Sequence, residues 1–201
     1  MTSDGMKKPV GILIVGVGGQ GVLLASEILA GAAALSGFEV KKSEVHGMAQ
    51  RGGSVVSHLR FGRSVHSPLI SKGQADYLVS FEKLETLRYL DYLHRGSWAL
   101  VNDQEIYPLP VSIGKADYPR DVEGVIRKAG LRCKVIDGLM LAGKAGNTKA
   151  VNAVILGVLS KFLAFDTEVW KRALEEQLPE RLREVNLRAF ALGKRRRITV
   201  P

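Results

Sequence analysis

Few residues in this 201-residue chain have the types and spacing to do chemistry, and the densest group is Gly16-Val17-Gly18-Gly19-Gln20-Gly21. Four glycines in six residues, directly behind the apolar run Val10 to Val15, place a tight turn after a buried strand. Val22, Leu24, Ala25, Ile28 and Leu29 then recur at helical spacing, so the turn opens a helix. Backbone N–H groups at such a helix start, with the helix dipole behind them, attract an anion or let a partner's backbone come close. Gly16, Gly18 and Gly21 fit the dinucleotide fingerprint, and Glu44 lies about twenty residues on, where such folds carry a ribose-binding acid. The same residues also describe a β-to-α turn that binds no nucleotide, and the motif by itself favours that reading.

The second group is His46-Gly47-Met48-Ala49-Gln50-Arg51-Gly52-Gly53, which has no apolar period. Arg51 offers a fork of donors for a carboxylate or phosphate, and Gly52 and Gly53 admit close backbone approach. The loop follows the expected strand Phe38 to Val45. It falls beside the glycine turn if that strand neighbours the first through a right-handed crossover. His58 and His66 are set on an expected hairpin, in which Ser54 to Phe61 turns through Gly62-Arg63-Ser64 into Val65-His66. Without a carboxylate or cysteine nearby they read as surface polar residues rather than metal ligands. Glu82 and Glu85 begin a helix whose stripe is Leu84, Leu87, Leu90 and Leu93, and their charge suits its dipole. Gly138 to Ala145 approaches the phosphate-loop pattern, but Ala145 stands where a hydroxyl must hold magnesium, so this reads as a helical turn. Cys133, in Leu131 to Ile136, reads as a buried strand thiol. A single cysteine excludes a disulfide framework, a cysteine-ligated iron–sulfur cluster and a Cys₄ or Cys₂His₂ zinc site within the chain, and favours a reducing, cytoplasmic setting.

The elements that must position these residues alternate in type. Strands are expected near 10–15, 38–45, 54–61, 77–81, 98–102 and 132–137, with helices between them and three more after Asn147. This is an α/β chain: a three-layer α/β/α sandwich, Rossmann-like, with a mostly parallel sheet and an added antiparallel hairpin. No repeat or composition break divides residues 1–201, so one domain is expected, with a basic tail from about residue 193. The net charge is +9, and residues 181–197 carry seven Arg or Lys against Glu184 alone. No aromatics interleave the terminal basic run, so a solvated tail is favoured over nucleic-acid binding. The uncharged run Pro9 to Ser26 is broken by five glycines and ended by Glu27, which argues against a membrane span or signal peptide.

Several of these stretches together resemble the small, γ-type subunit of 2-oxoacid:ferredoxin oxidoreductases. They are Gly16 to Ala25, Ser43 to Val55, Asp76, Glu82 to Arg88, Gly146-Asn147 and Asn152 to Gly157. The run Glu44-Val45-His46-Gly47-Met48-Ala49-Gln50-Arg51-Gly52-Gly53 is most similar to the indolepyruvate branch. The resemblance implies CoA-dependent oxidative decarboxylation of an aryl pyruvate, with ferredoxin as acceptor. It implies thiamine diphosphate and iron–sulfur clusters on a large partner subunit, and no cofactor and no catalytic residue on this chain. The glycine turn, the 46–53 loop, Asn147 and Asn152 are then partner-facing or cofactor-facing residues. The alternatives are a free-standing flavin or nicotinamide protein using the glycine turn, or a basic nucleic-acid-binding protein.

Overall fold

The computed structural model describes residues 8–46 (His46 as backbone) and 53–195. Six strands, β1 (Val10–Val17), β2 (Glu39–His46), β3 (Ser54–Gly62), β4 (Ala75–Ser80), β5 (Leu93–Asn102) and β6 (Arg132–Ile136), form one sheet in the order β2-β3-β1-β4-β5-β6. β1, β4, β5 and β6 are parallel neighbours, and β3 runs antiparallel to both β1 and β2. Ile12, Leu13, Ile14 and Val15 are all fully buried, as a central strand covered on both faces requires.

Because side chains alternate across a strand, Ile12 and Ile14 face one layer and Leu13 and Val15 the other. The first layer is thick: α1 (Val22–Leu35), α5 (Gly138–Ala145), α6 (Val151–Leu159), α7 (Thr167–Gln177) and α8 (Glu180–Arg195) pack over Leu59, Val79 and Leu100. The second is thin, with α2 (Lys83–Arg88) and α4 (Val122–Lys128) over Val56, Leu78 and Val101; the one-turn α3 (Leu109–Ser112) rides on the loop after β5. α6 and α8 touch backbone to backbone. A Cβ added at Gly157 would lie 2.1 Å from the Phe190 oxygen, and one at Gly193 would lie 2.0 Å from the Val154 oxygen. Among the described residues no helix is long and apolar enough to cross a membrane.

Four expectations are corrected. The antiparallel hairpin is β2–β3, with Val45 opposite Val56, whereas residues 63–74 form no strand. β3 therefore stands between β1 and β2, which are not neighbours. His58 faces the thin layer, where its Nδ1 accepts the Ile70 N–H at 3.2 Å and its ring lies 5.9 Å from Tyr92; His66 is exposed. The leucine stripe after Glu82 is a core feature but not one helix: α2 stops at Arg88, a 3₁₀ turn spans Leu90–Tyr92, and β5 begins at Leu93. The C-terminal helix continues through Gly193 to Arg195, with Lys194 Nζ on the Thr167 hydroxyl, so a basic tail does not begin at 193.

Candidate functional site at the carboxyl end of the sheet

From β1 the chain crosses through α1, on the thick layer, toward β2; from β4 it crosses through α2, on the thin layer, to β5. The crossovers diverge between β1 and β4, and a crevice opens there beyond the strand ends, as doubly wound sheets provide. Its volume is about 420 Å³, and Val17, Gly53, Ser54, Glu82, Glu85 and Tyr107 are among its walls.

The glycine turn forms one side. At Gly16 a Cβ would stand 2.9 Å from Gln20 Oε1 and 2.9 Å from Val22, so the turn closes only without a side chain there. Gly21, the N-cap of α1, has φ 80°, a left-handed conformation that glycine adopts without strain. Gln20 folds back into the turn: its Oε1 accepts the Val17 N–H at 2.8 Å, and its Nε2 donates to the Phe81 oxygen at 2.9 Å and Gln104 Oε1 at 3.1 Å. Asn102 donates to the same two oxygens and accepts the Gly138 N–H at 3.1 Å. The ends of β1, β4 and β5 and the start of α5 are thereby laced together. The Gly18 N–H donates to the Gly53 oxygen at 2.9 Å, so β3 enters the sheet directly against the turn.

These bonds change the meaning of the fingerprint. The N–H groups of Val17, Gly18 and Gln20 are engaged within the chain, the last on the Val17 oxygen at 3.1 Å, which is unlike a cradle awaiting a pyrophosphate. Glu44, expected beside the turn, sits on β2 with β3 interposed, and Lys42 Nζ is 3.0 Å from its carboxylate. Gly19 has φ 102°, a left-handed value that favours glycine, although a Cβ there would meet nothing within 4 Å. Asn152 is buried at the start of α6, where its Nδ2 would be 3.1 Å from a Cβ on Gly21. Asn147 instead caps the turn Thr148–Ala150 through the Lys149 N–H. His46 closes β2, while Gly47, Met48, Gln50, Arg51 and Gly52 lie outside the described residues.

Sequence reasoning missed the two carboxylates opposite the turn. Glu82, 1% exposed, caps α2 by accepting the Glu85 N–H at 2.8 Å, and its other oxygen accepts the Ile106 N–H at 3.1 Å and the Tyr118 hydroxyl. Burial, with Glu82 beside it, pushes the Tyr118 phenol well above the usual range and keeps it a donor. Glu85, 4% exposed, accepts the Ser54 hydroxyl and lies 3.3 Å from Arg88 Nε. Burial raises its carboxyl above the usual range against the opposing pull of Ser54 and Arg88. The available signal was an acid at N-cap with another three positions on, which marks a helix start but not burial.

Other candidates do not join the crevice. Cys133 is buried in β6 and its thiol is pushed up to about 12 by burial, which leaves it unreactive. Gly138–Ala145 is helix α5, capped by Asp137 on the Met140 N–H at 2.9 Å. Among the described residues no three His, Cys, Asp or Glu side chains gather as metal ligands.

The family model of pyruvate ferredoxin/flavodoxin oxidoreductase matches residues 11–196. The chain belongs to this family. It is 39% identical over 191 residues to indolepyruvate oxidoreductase subunit IorB of Thermococcus kodakarensis, covering 92% of this chain and 95% of that one. It is 29% identical over 187 residues to 2-oxoglutarate synthase subunit KorC of Methanothermobacter thermautotrophicus, covering 91% and 92%. The fold matches the γ subunit of a keto/oxoacid ferredoxin oxidoreductase from Geobacter sulfurreducens at 24% identity, with a TM-score of 0.68 over 92% of this chain and 95% of that one. In this family member, large apolar side chains left exposed also collect at the crevice end. Leu23, Val45, Tyr107, Leu109, Leu139 and Met140 all lie at or just beyond the carboxyl ends of β1, β2, β5 and β6.

Proposed function

We propose that this chain is the small subunit of an indolepyruvate:ferredoxin oxidoreductase, working as a single γ-type domain in a cytoplasmic complex with a large subunit. The reaction converts an aryl pyruvate and CoA to the aryl-acetyl-CoA and CO₂, and its two electrons pass to ferredoxin. The observation that carries this reading is the 39% identity to an indolepyruvate oxidoreductase subunit over nearly the full length of both chains. The residues present do not fit an iron–sulfur cluster, since four thiolates are needed and the chain has one buried cysteine. Thiamine diphosphate, which supplies carbanion stabilisation when bound, and the clusters are assigned to the large subunit. This chain's own contribution is a surface: the glycine turn, fixed by Gln20 and by the Gly18–Gly53 bond, and the apolar rim around the crevice. A flavin or nicotinamide site at the turn is disfavoured by its internally used N–H groups and by the displacement of Glu44.

The test is reconstitution with the large subunit from the same organism, followed by indolepyruvate- and CoA-dependent ferredoxin reduction. Activity is expected from the mixture and not from this chain alone, which should purify colourless. Stoichiometric flavin or nicotinamide in the purified small chain, or a large subunit fully active without it, overturns the reading.

A further inference from the structure

Resting on that reading, we propose that the crevice between β1 and β4 is a socket for a Lys or Arg side chain carried on an apolar segment of the large subunit, with Glu85 as its acceptor and Tyr107 and Leu109 as its lip. The cavity, about 420 Å³, holds a long side chain together with part of the backbone that bears it. The lip is exposed: Leu109 is 72% and Tyr107 56% accessible. A single exposed leucine needs no explanation, but Tyr107 and Leu109 stand together on the crevice wall, where an apolar partner segment can cover both.

Charge selects the occupant. The chain as a whole carries +9, yet among the described residues the charged side chains on the crevice walls are Glu82 and Glu85 against Arg88. A basic chain whose crevice is acidic and edged by exposed apolar side chains is complementary to a basic, apolar docking element, and disfavours a phosphate or a nucleic acid there. Within the socket the two carboxylates differ. Both Glu82 oxygens are filled by Glu85, Ile106 and Tyr118, so Glu82 only holds the walls. Glu85 is held by a hydroxyl and by Arg88, whose side chain is about half exposed on the short helix α2. An incoming cation can share or replace Arg88 there and offset, by its attraction, the burial that disfavours the Glu85 charge. The lip is also fixed before binding. Glu82 fastens its root at Ile106 and its far end at Tyr118, so little loop entropy is lost on docking.

The test titrates the separately purified large subunit against wild type, Glu85→Gln, Leu109→Glu and Leu109→Lys at low and high salt, with circular dichroism and melting as controls. Leu109 is exposed, so its variants should melt like wild type even if Glu85→Gln does not. Expected results are a weaker complex at high salt, at least a tenfold higher apparent Kd with a smaller salt effect for Glu85→Gln, and weaker binding by Leu109→Lys than by Leu109→Glu. Unchanged affinity in all three variants overturns the socket. Tighter binding by Leu109→Lys than by Leu109→Glu assigns an acidic partner and also overturns it. Wild type that self-associates or binds phosphate but ignores the large subunit overturns both the socket and the functional reading.

Discussion

Replacing Glu82 by Ala tests whether this carboxylate holds the crevice together. The side chain is 1% exposed and satisfies three donors from three segments: the Glu85 N–H in α2, the Ile106 N–H after β5, and the Tyr118 hydroxyl. Loss of an N-cap costs about 1 kcal/mol. Leaving a buried donor unpaired costs about 1–3 kcal/mol each, and two are left here. Water can reach the vacated space through the crevice, which favours the lower half of the range, about 3–5 kcal/mol in all. For a chain of this size that lowers the melting temperature by roughly 6–20 °C. Urea unfolding followed by circular dichroism gives the free-energy change directly. Glu82→Gln keeps the volume and an acceptor for Ile106 and Tyr118 but turns an amide donor toward the Glu85 N–H, so it should lose only about 1–2 kcal/mol. A Glu82→Ala loss under about 1 kcal/mol would refute the reasoning, because the three bonds would then carry no net stability.

The remaining predictions concern two buried titrating groups. Burial lowers the His58 pKa from its ordinary 6.5, so the unfolded chain binds the proton more readily. Stability from this site is full above pH about 6.5 and falls as the pH drops below it. His58→Gln should flatten the change in unfolding free energy between pH 7 and pH 5, and an unchanged slope would exclude His58 as its source. Cys133, pushed from 9.0 up to about 12, should react with an aromatic disulfide reagent at pH 8 roughly a thousandfold more slowly in the native chain than in urea. Prompt native-state labelling would place the thiol at the surface.

The sequence made some of this architecture legible and hid the rest for physical reasons. β1, the glycine turn and α1 were readable because a strand buried on both faces must be apolar throughout and the turn cannot close at Gly16 with a side chain. The placement of β3 was not readable, since strand order depends on pairings between distant segments. Gly62 suggested a hairpin turn, whereas its actual role is clearance: a Cβ there would lie 3.0 Å from Pro9 Cα. The leucines from Leu84 to Leu93 announced a core face correctly, but periodicity cannot distinguish one helix from a helix, a 3₁₀ turn and a strand that serve the same face in succession. Glu82 and Glu85 read only as acids suited to a helix dipole because what buries them arrives from far along the chain, at Ile106, Tyr118 and Ser54. The family was legible from words of sequence rather than from any of these elements.

The position of β1 at the centre of the sheet has a consequence for synthesis on the ribosome. β1 is made before both of its partners: β3 ends about 45 residues after it and β4 about 63. At translation rates of about 5–20 residues per second, its two edges stay unpaired for roughly 2–13 s. During that interval an uncharged strand with two open hydrogen-bonding edges is the segment of this chain best suited to pair wrongly with a neighbouring nascent copy. Lys7 and Lys8 immediately before it supply the flanking charge that opposes such pairing, and α1 is complete well before β3, so it can cover one face of β1 while the edges wait.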